Sequence, residues 1–425
     1  MLKGQFPVEK FASLRTPFYY YDLPLLRRTL DKIRECIEPY PQFHVHYAVK
    51  ANFNGRILQE ISRCGFGADC VSGGEIRAAL QNGFAPESIV YAGVGKSDEE
   101  ILLALDAGIA RFNVESAAEL EVINELALSR GVVAPVSLRV NPDIGAHTHA
   151  NITTGLAENK FGINYEQLPG VIELADSLPG VEYKGLHFHI GSQILEMDDF
   201  VALCNRINVL AEQILRQRRG RLVPAASSAA AVGYSSSAVG AAGVAGSGAV
   251  AGVAGAAASV LGDINVGGGL GINYYHPNHL DVAEFSQYFE TFARHLKLPE
   301  GTPVHFELGR SVVAPCGSLI SRVLYIKEGT TRRFAIIDAS MTELIRPALY
   351  KAYHRVENIS SYEPEEVYDV VGPVCESSDV FAKGVSIDKC HRGDFIAIRS
   401  AGAYGESMSS QYNCRPLPAC FFKED

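Results

Sequence analysis

From about residue 43 to about residue 310 the chain repeats one unit. Each unit is a short β-branched run, a loop carrying polar residues or glycines, then a stretch with apolar residues at i, i+3 and i+4. Candidate strands fall at 44–50, 67–71, 89–92, 111–114, 136–140, 184–190, 264–267 and 304–307, with helix-like stretches at 75–81, 98–105, 117–128 and 199–215. Strands that alternate with helices pair in parallel, because each crossover helix returns the chain to the same end of the sheet. Eight such units are the number that closes a (β/α)8 barrel. A doubly wound open sheet is the competing arrangement, and a strand count wrong by one or two would favour it.

Beyond residue 310 the texture changes. Residues 323–327, 333–337, 368–371 and 395–398 read as strands separated by turns, with few helical stretches between them. A β-rich second domain, sandwich-like or barrel-like, is expected, and the strand-like segment 17–22 (PFYYYD) is placed in its sheet. The expected division is 1–35 as an N-terminal segment joining the β domain, 36–310 as the barrel and 311–425 as the β domain. A chain of 425 residues is long enough to need two cores.

One stretch breaks the pattern. Between Arg221 and Asp263 there is no charged residue, and from Ala225 onward the chain is almost only Ala, Gly, Ser and Val. Gly and Ser interrupt it throughout and large apolar side chains are nearly absent, which argues against a membrane span. A low-complexity, poorly ordered insertion over 225–260 is expected. It precedes a strand, and so lies on the barrel face away from the βα loops.

Composition narrows the function class. A net charge of -10 argues against nucleic acid as a partner, since phosphate binding needs clustered Lys and Arg. The start MLKGQFPVEK has no apolar core of a secretory signal, and a cytoplasmic, non-membrane protein is expected. Nine scattered cysteines contain no C-x-x-C pair, which speaks against a structural zinc site or a disulfide framework.

If the barrel is right, chemistry belongs at the carboxyl ends of its strands. The first strand ends in Ala48-Val49-Lys50, and strand alternation puts Lys50 on the face of His44, His46 and Ala48, aimed into the barrel mouth. A partly desolvated lysine amine there suits Schiff-base chemistry, although a lysine at a strand end, taken alone, is more often a surface group. Another strand ends in His187-Phe188-His189-Ile190-Gly191-Ser192, and the next in Gly267-Gly268-Gly269-Leu270-Gly271. Such glycines let backbone N–H groups approach a phosphate, with the Ser192 hydroxyl as a further donor. The run is not G-x-G-x-x-G, because residue 272 is Ile, so a dinucleotide site is not indicated. The pairs His44/His46, His147/His149 and His187/His189 could suggest zinc, but no Cys, Asp or Glu stands at a matching spacing, and no metal is expected. Glu307-Leu308-Gly309-Arg310 offers either an inward carboxylate for a ring nitrogen or a plain Glu–Arg ion pair. The β domain adds Arg346 and Tyr350 in IRPALY, Cys375 and Glu376 in CESSD, and Tyr404 in GAYG.

Together the segments YAVKAN, ADCVSGGE, NPD…TGLAENKFGI, HFHIGSQ, NVGGGLGI, ELGR, IRPALY, CESSD and GAYGESMSSQYN resemble, in order and over all but roughly 221–262, the fold-type-III pyridoxal-phosphate decarboxylases. The resemblance implies pyridoxal 5′-phosphate held covalently by Lys50, with His189 stacked on its ring and Glu307 at its pyridine nitrogen. It places Ser192, Gly267, Gly268, Gly269 and Tyr404 around the phosphate and Asp69 near the cofactor. Arg310, Arg346 and Tyr350 become contacts to phosphate or substrate carboxylate. Cys375 and Glu376 reach the site across a homodimer interface. The implied reaction is decarboxylation of meso-2,6-diaminopimelate to L-lysine and CO2, the last step of lysine biosynthesis. A decarboxylase of ornithine, arginine or a polyamine precursor is the nearest alternative, against which Arg346 speaks, since a simple amine needs no second cation. A catalytically silent regulatory homologue is the other, against which Lys50, Glu307 and Cys375 speak. The family's Glu-Pro-Gly-Arg is here Glu307-Leu308-Gly309-Arg310, which keeps both charged groups.

Overall fold

The computed structural model describes residues 6–142, 160–222, 260–277 and 282–424. Residues 225–259, nearly all of the expected insertion, lie outside the described residues, as do His147, His149 and most of the TGLAENKFGI segment.

The βα repeat closes. Strands Phe43–Ala48, Gly67–Cys70, Ile89–Tyr91, Arg111–Val114, Ala134–Asn141, Val181–His187, Asp263–Asn265 and Val304–Leu308 pair in parallel in chain order, and the last pairs with the first. The open-sheet alternative is therefore excluded. Several helices announce themselves by one local device, Ser-x-x-Glu, which begins the helices Gly73–Gln81, Asp98–Ala107 and Ala117–Arg130. In each the serine side chain accepts from the glutamate N–H, meeting one of the orphan donors of a helix start. The Ser97–Glu100 pair forms a full capping box, while Glu75 and Glu119 reach back to the N–H of Val71 and Glu115 and tie down the loops before them.

The second domain is one mixed eight-stranded sheet. Gly317–Glu328 lies at its centre between Phe395–Ile398 and Arg333–Ile337, and also pairs antiparallel with Phe18–Asp22. The N-terminal strand thus joins the sheet as expected, and it pairs in parallel with the C-terminal strand Ala419–Lys423 as well. Its alternate residues serve two cores: Phe18 and Tyr20 pack with Phe11 and Ile320, while Tyr19 and Tyr21 belong to the main core that runs through both domains. The helix that follows, Leu23–Ile37, buries Leu23, Leu26, Leu30 and Ile33 and packs on the barrel helix Val282–His295. Two domains so stitched at their first element hold a fixed relation, which a site between them requires. Among the described residues no helix is long and apolar enough to cross a membrane.

Candidate active site

The strand carrying the lysine ends sooner than alternation implies. It stops at Ala48, and Lys50 sits in the 3-10 turn Val49–Ala51. The β domain holds that turn in place. Tyr404 N donates to Ala51 O at 2.8 Å, and the Asn52 amide donates to Gly402 O and Tyr21 OH, each at 2.9 Å. Tyr404 adopts φ 55, a left-handed conformation uncommon for a bulky residue and found where surrounding structure enforces it. The lysine faces a cavity of about 860 Å3 at the mouth of the barrel, a volume that takes a cofactor together with a small substrate. Asp69, His189, Ser192, Gly269, Glu307, Arg310, Arg346, Tyr350 and Tyr404 line the same cavity.

Glu307 is fixed from three strands. Its carboxylate accepts from Asn265 at 2.8 Å and Asn113 at 3.3 Å, and lies 3.1 Å from His187 Nε2. The simple Glu307–Arg310 ion pair is thereby excluded: Arg310 instead donates to Tyr274 OH at 2.7 Å and Ser192 Oγ at 3.0 Å. Burial by itself would raise the Glu307 carboxyl, but His187, His189 and Lys50 outweigh it and hold the group well below the ordinary carboxylate range. Burial, reinforced by the Glu307 charge, pushes Asp69 the other way, well above that range. Lys50 loses hydration, which lowers its pKa, yet Asp69, Tyr404 and Glu307 bring the net shift upward. Burial and the nearby Lys50 and Arg139 charges keep the His189 imidazole neutral, well below its ordinary value.

The glycine run passes between neighbours at backbone contact. Gly267 has φ 72, and a side chain at Gly268 would run into the Glu307 carbonyl, which explains both residues by space. The Gly268 N–H donates to His189 Nδ1 at 3.3 Å, so it orients that ring.

Two sequence-selected residues do not join the cavity wall of this chain. Cys375 and Glu376 are exposed on one loop of the β domain, where Cys375 N donates to Asn413 Oδ1 at 3.2 Å. Among the histidine pairs, His46 lies 3.0 Å from His305 Nδ1 and His187 bonds Glu307, so both rings already have protein partners. Sequence reasoning missed Tyr274, Asn113 and Asn265 as site residues, and weighed His187 only as a metal ligand. Asn265, two residues before the glycine run, was the one with a local cue.

The residues present fit pyridoxal phosphate: a lysine amine, a neutral imidazole, an ionised carboxylate and buried cationic donors converge on one cavity. Asp69 Oδ1 and the Nε atoms of Arg310 and Arg346 are buried without a hydrogen-bond partner among the described residues, as polar atoms awaiting a polar ligand would be. A closed barrel with this strand-end lysine and buried glutamate defines the class of pyridoxal-binding decarboxylase barrels. Accordingly, the family model "Pyridoxal-dependent decarboxylase, pyridoxal binding domain" matches residues 26–218. The diaminopimelate decarboxylase of Bacteroides thetaiotaomicron is 54% identical over 424 residues, covering 100% of both chains. That of Zymomonas mobilis is 37% identical over 96% of this chain and 87% of its own. The crystal structure of the Helicobacter pylori diaminopimelate decarboxylase complexed with L-lysine superposes with a TM-score of 0.81 at 35% identity, covering 98% of this chain and 94% of that one. The chain belongs to the diaminopimelate decarboxylase family.

Proposed function

We propose that this enzyme removes one carboxylate from meso-2,6-diaminopimelate to give L-lysine and CO2. The observation that carries the reading is a pair of buried arginines, 6% and 5% exposed, in the cavity of Lys50 with no acidic partner among the described residues. A buried cation without a counter-ion is destabilising unless a ligand completes it. Arg310 and Arg346 then take the carboxylate that survives the reaction, with Tyr350 beside them.

Bound in this cavity, pyridoxal phosphate supplies an electron sink for the pair released as CO2 leaves. Lys50 Nζ, in the same cavity, is the amine that would hold the cofactor. Ionised Glu307 would serve the ring nitrogen of the cofactor, and the hydrogen bonds from Asn265 and Asn113 keep the carboxylate oriented for it. Neutral His189 would pack against the cofactor ring without adding charge. Ser192, Gly267, Gly268, Gly269 and Tyr404 would hold the cofactor's phosphate, and Asp69 would meet the cofactor with its remaining polar atom. Cys375 Sγ delivers the proton to the carbon that lost the carboxylate, and Glu376 meets the distant ammonium. Incubating the holoenzyme with meso-diaminopimelate, lysine, ornithine and arginine is expected to yield product chiefly from the first, identified as L-lysine by mass spectrometry. Comparable turnover of ornithine would overturn the substrate.

Because Cys375 and Glu376 stand outside the cavity wall of their own chain, we place them in the site of a second subunit of a homodimer. Mixing inactive Lys50→Ala with inactive Cys375→Ala subunits is then expected to restore about a quarter of native activity, since half of random dimers carry one intact site of two. No recovery after verified subunit exchange would count against the shared site.

A further inference from the structure

Two guanidinium groups meet on one oxygen. Arg310 Nη1 donates to Tyr274 OH at 2.7 Å and Arg346 Nη1 donates to the same oxygen at 3.1 Å. Like charges so placed repel: for Arg346, burial first and then the Arg310 charge act to disfavour the charged form. The phenol oxygen answers this with its two lone pairs, one toward each cation. Its own proton is left over, and among the described residues no acceptor meets it. It is free to be donated to a third atom between the arginines.

The ring that carries this oxygen is held firmly. Tyr274 packs edge-on against His354 with centroids 5.0 Å apart, and both residues are buried. Its loop is tied to the loop of Ser192: Ile194 N donates to Gly269 O and Gly271 N donates to Ile194 O, each at 2.9 Å. The Gln193 side chain adds a donor to Ile272 O at 2.7 Å and an acceptor for Ile272 N at 3.2 Å. The hydroxyl position is therefore set before any ligand arrives, as a preorganised donor requires.

We propose that Tyr274 is a positioning residue of the anion site: it fixes the separation of Arg310 and Arg346 and offers its hydroxyl proton to the carboxylate they share. The inference rests on the reading of the arginine pair as the seat of the substrate's retained carboxylate. Removing the hydroxyl while keeping the ring leaves two repelling cations without their common acceptor and the anion short of one donor.

The test is Tyr274→Phe in the holoenzyme. The KM for diaminopimelate is expected to rise about ten- to hundredfold, the scale of one hydrogen bond to a charged group, with kcat held within about threefold. Calorimetric affinity for L-lysine is expected to fall by a similar factor, while cofactor retention on dialysis stays unchanged. A double cycle with Arg346→Lys is expected to be clearly non-additive, because the two changes remove the same contact. Should Tyr274→Phe melt below the assay temperature, Tyr274→His takes its place, with an intermediate KM expected. An unchanged KM in an active enzyme, or strict additivity, would overturn the inference alone. Loss of cofactor on dialysis would overturn it too, by assigning the arginines to the phosphate. A wild-type enzyme inert toward diaminopimelate would remove the substrate reading and this inference together.

Discussion

Replacing Lys50 by Ala is expected to lower turnover by at least about 10³-fold and to abolish the absorbance band of the bound cofactor, with the protein still folded. The fold survives because nothing that shapes the turn uses the lysine side chain. The clamp on Ala51 and Asn52 runs through backbone groups of Tyr404 and Gly402 and the hydroxyl of Tyr21. Tyr47 OH closes it from the other side by donating to Asn52 O at 2.9 Å. Lys50→Arg is the sharper control, for it keeps a positive charge beside Asp69 and Glu307 yet cannot form the covalent link. Equal loss in both variants, with matched circular dichroism and melting, would assign the effect to the amine. Full activity in either would sink the assignment of Lys50.

The same turn marks where reading a sequence stops being enough. Lys50 was legible because a barrel gathers chemistry at strand ends, and the lysine stands two residues past the end of the strand Phe43–Ala48, near the small Ala48. His189, Glu307 and the glycine run were legible for the same reason, each lying within two residues of a strand's end, whereas Asp69 was named only through the family resemblance. The 3-10 turn itself was not, since it is dictated by contacts with residues some 350 positions away, such as Asn52 to Gly402. The partners of Glu307 fall in the same class. Asn113 and His187 lie 194 and 120 positions from it, and no local pattern ties them together. Tyr274 shows the limit most plainly, because in GINYYHP it is one of two adjacent tyrosines. Only the fold distinguishes it from Tyr275, which is exposed and stacked on Tyr353. The parallel pairing of Phe18–Asp22 with Ala419–Lys423 joins the two ends of the chain and was likewise out of reach of any periodicity.

Arg346→Ala is expected to lower kcat/KM for diaminopimelate by about 10²-fold or more while leaving the cofactor bound. The arginine opens the short helix Arg346–Tyr350 in the β domain, facing the cavity from the side opposite the barrel strands. Its side chain is 5% exposed, so water cannot stand in for a missing partner there. A substrate that carries a second carboxylate completes the cation, and one that lacks it leaves a desolvated charge unpaired. That asymmetry sets the preference: ornithine and arginine would each enter with the penalty that diaminopimelate removes. The truncation is therefore expected to narrow the gap between substrates from the favoured side, weakening diaminopimelate far more than the poor turnover of ornithine. Glu376→Gln in the partner loop is expected to act in the same direction by about tenfold, through the ammonium at the same distant centre. The combination is informative because both variants leave Lys50, Glu307 and His189 untouched. If Arg346→Ala released the cofactor on dialysis, or reduced turnover of every amino acid by one common factor, the arginine would belong to the cofactor's phosphate and not to substrate choice.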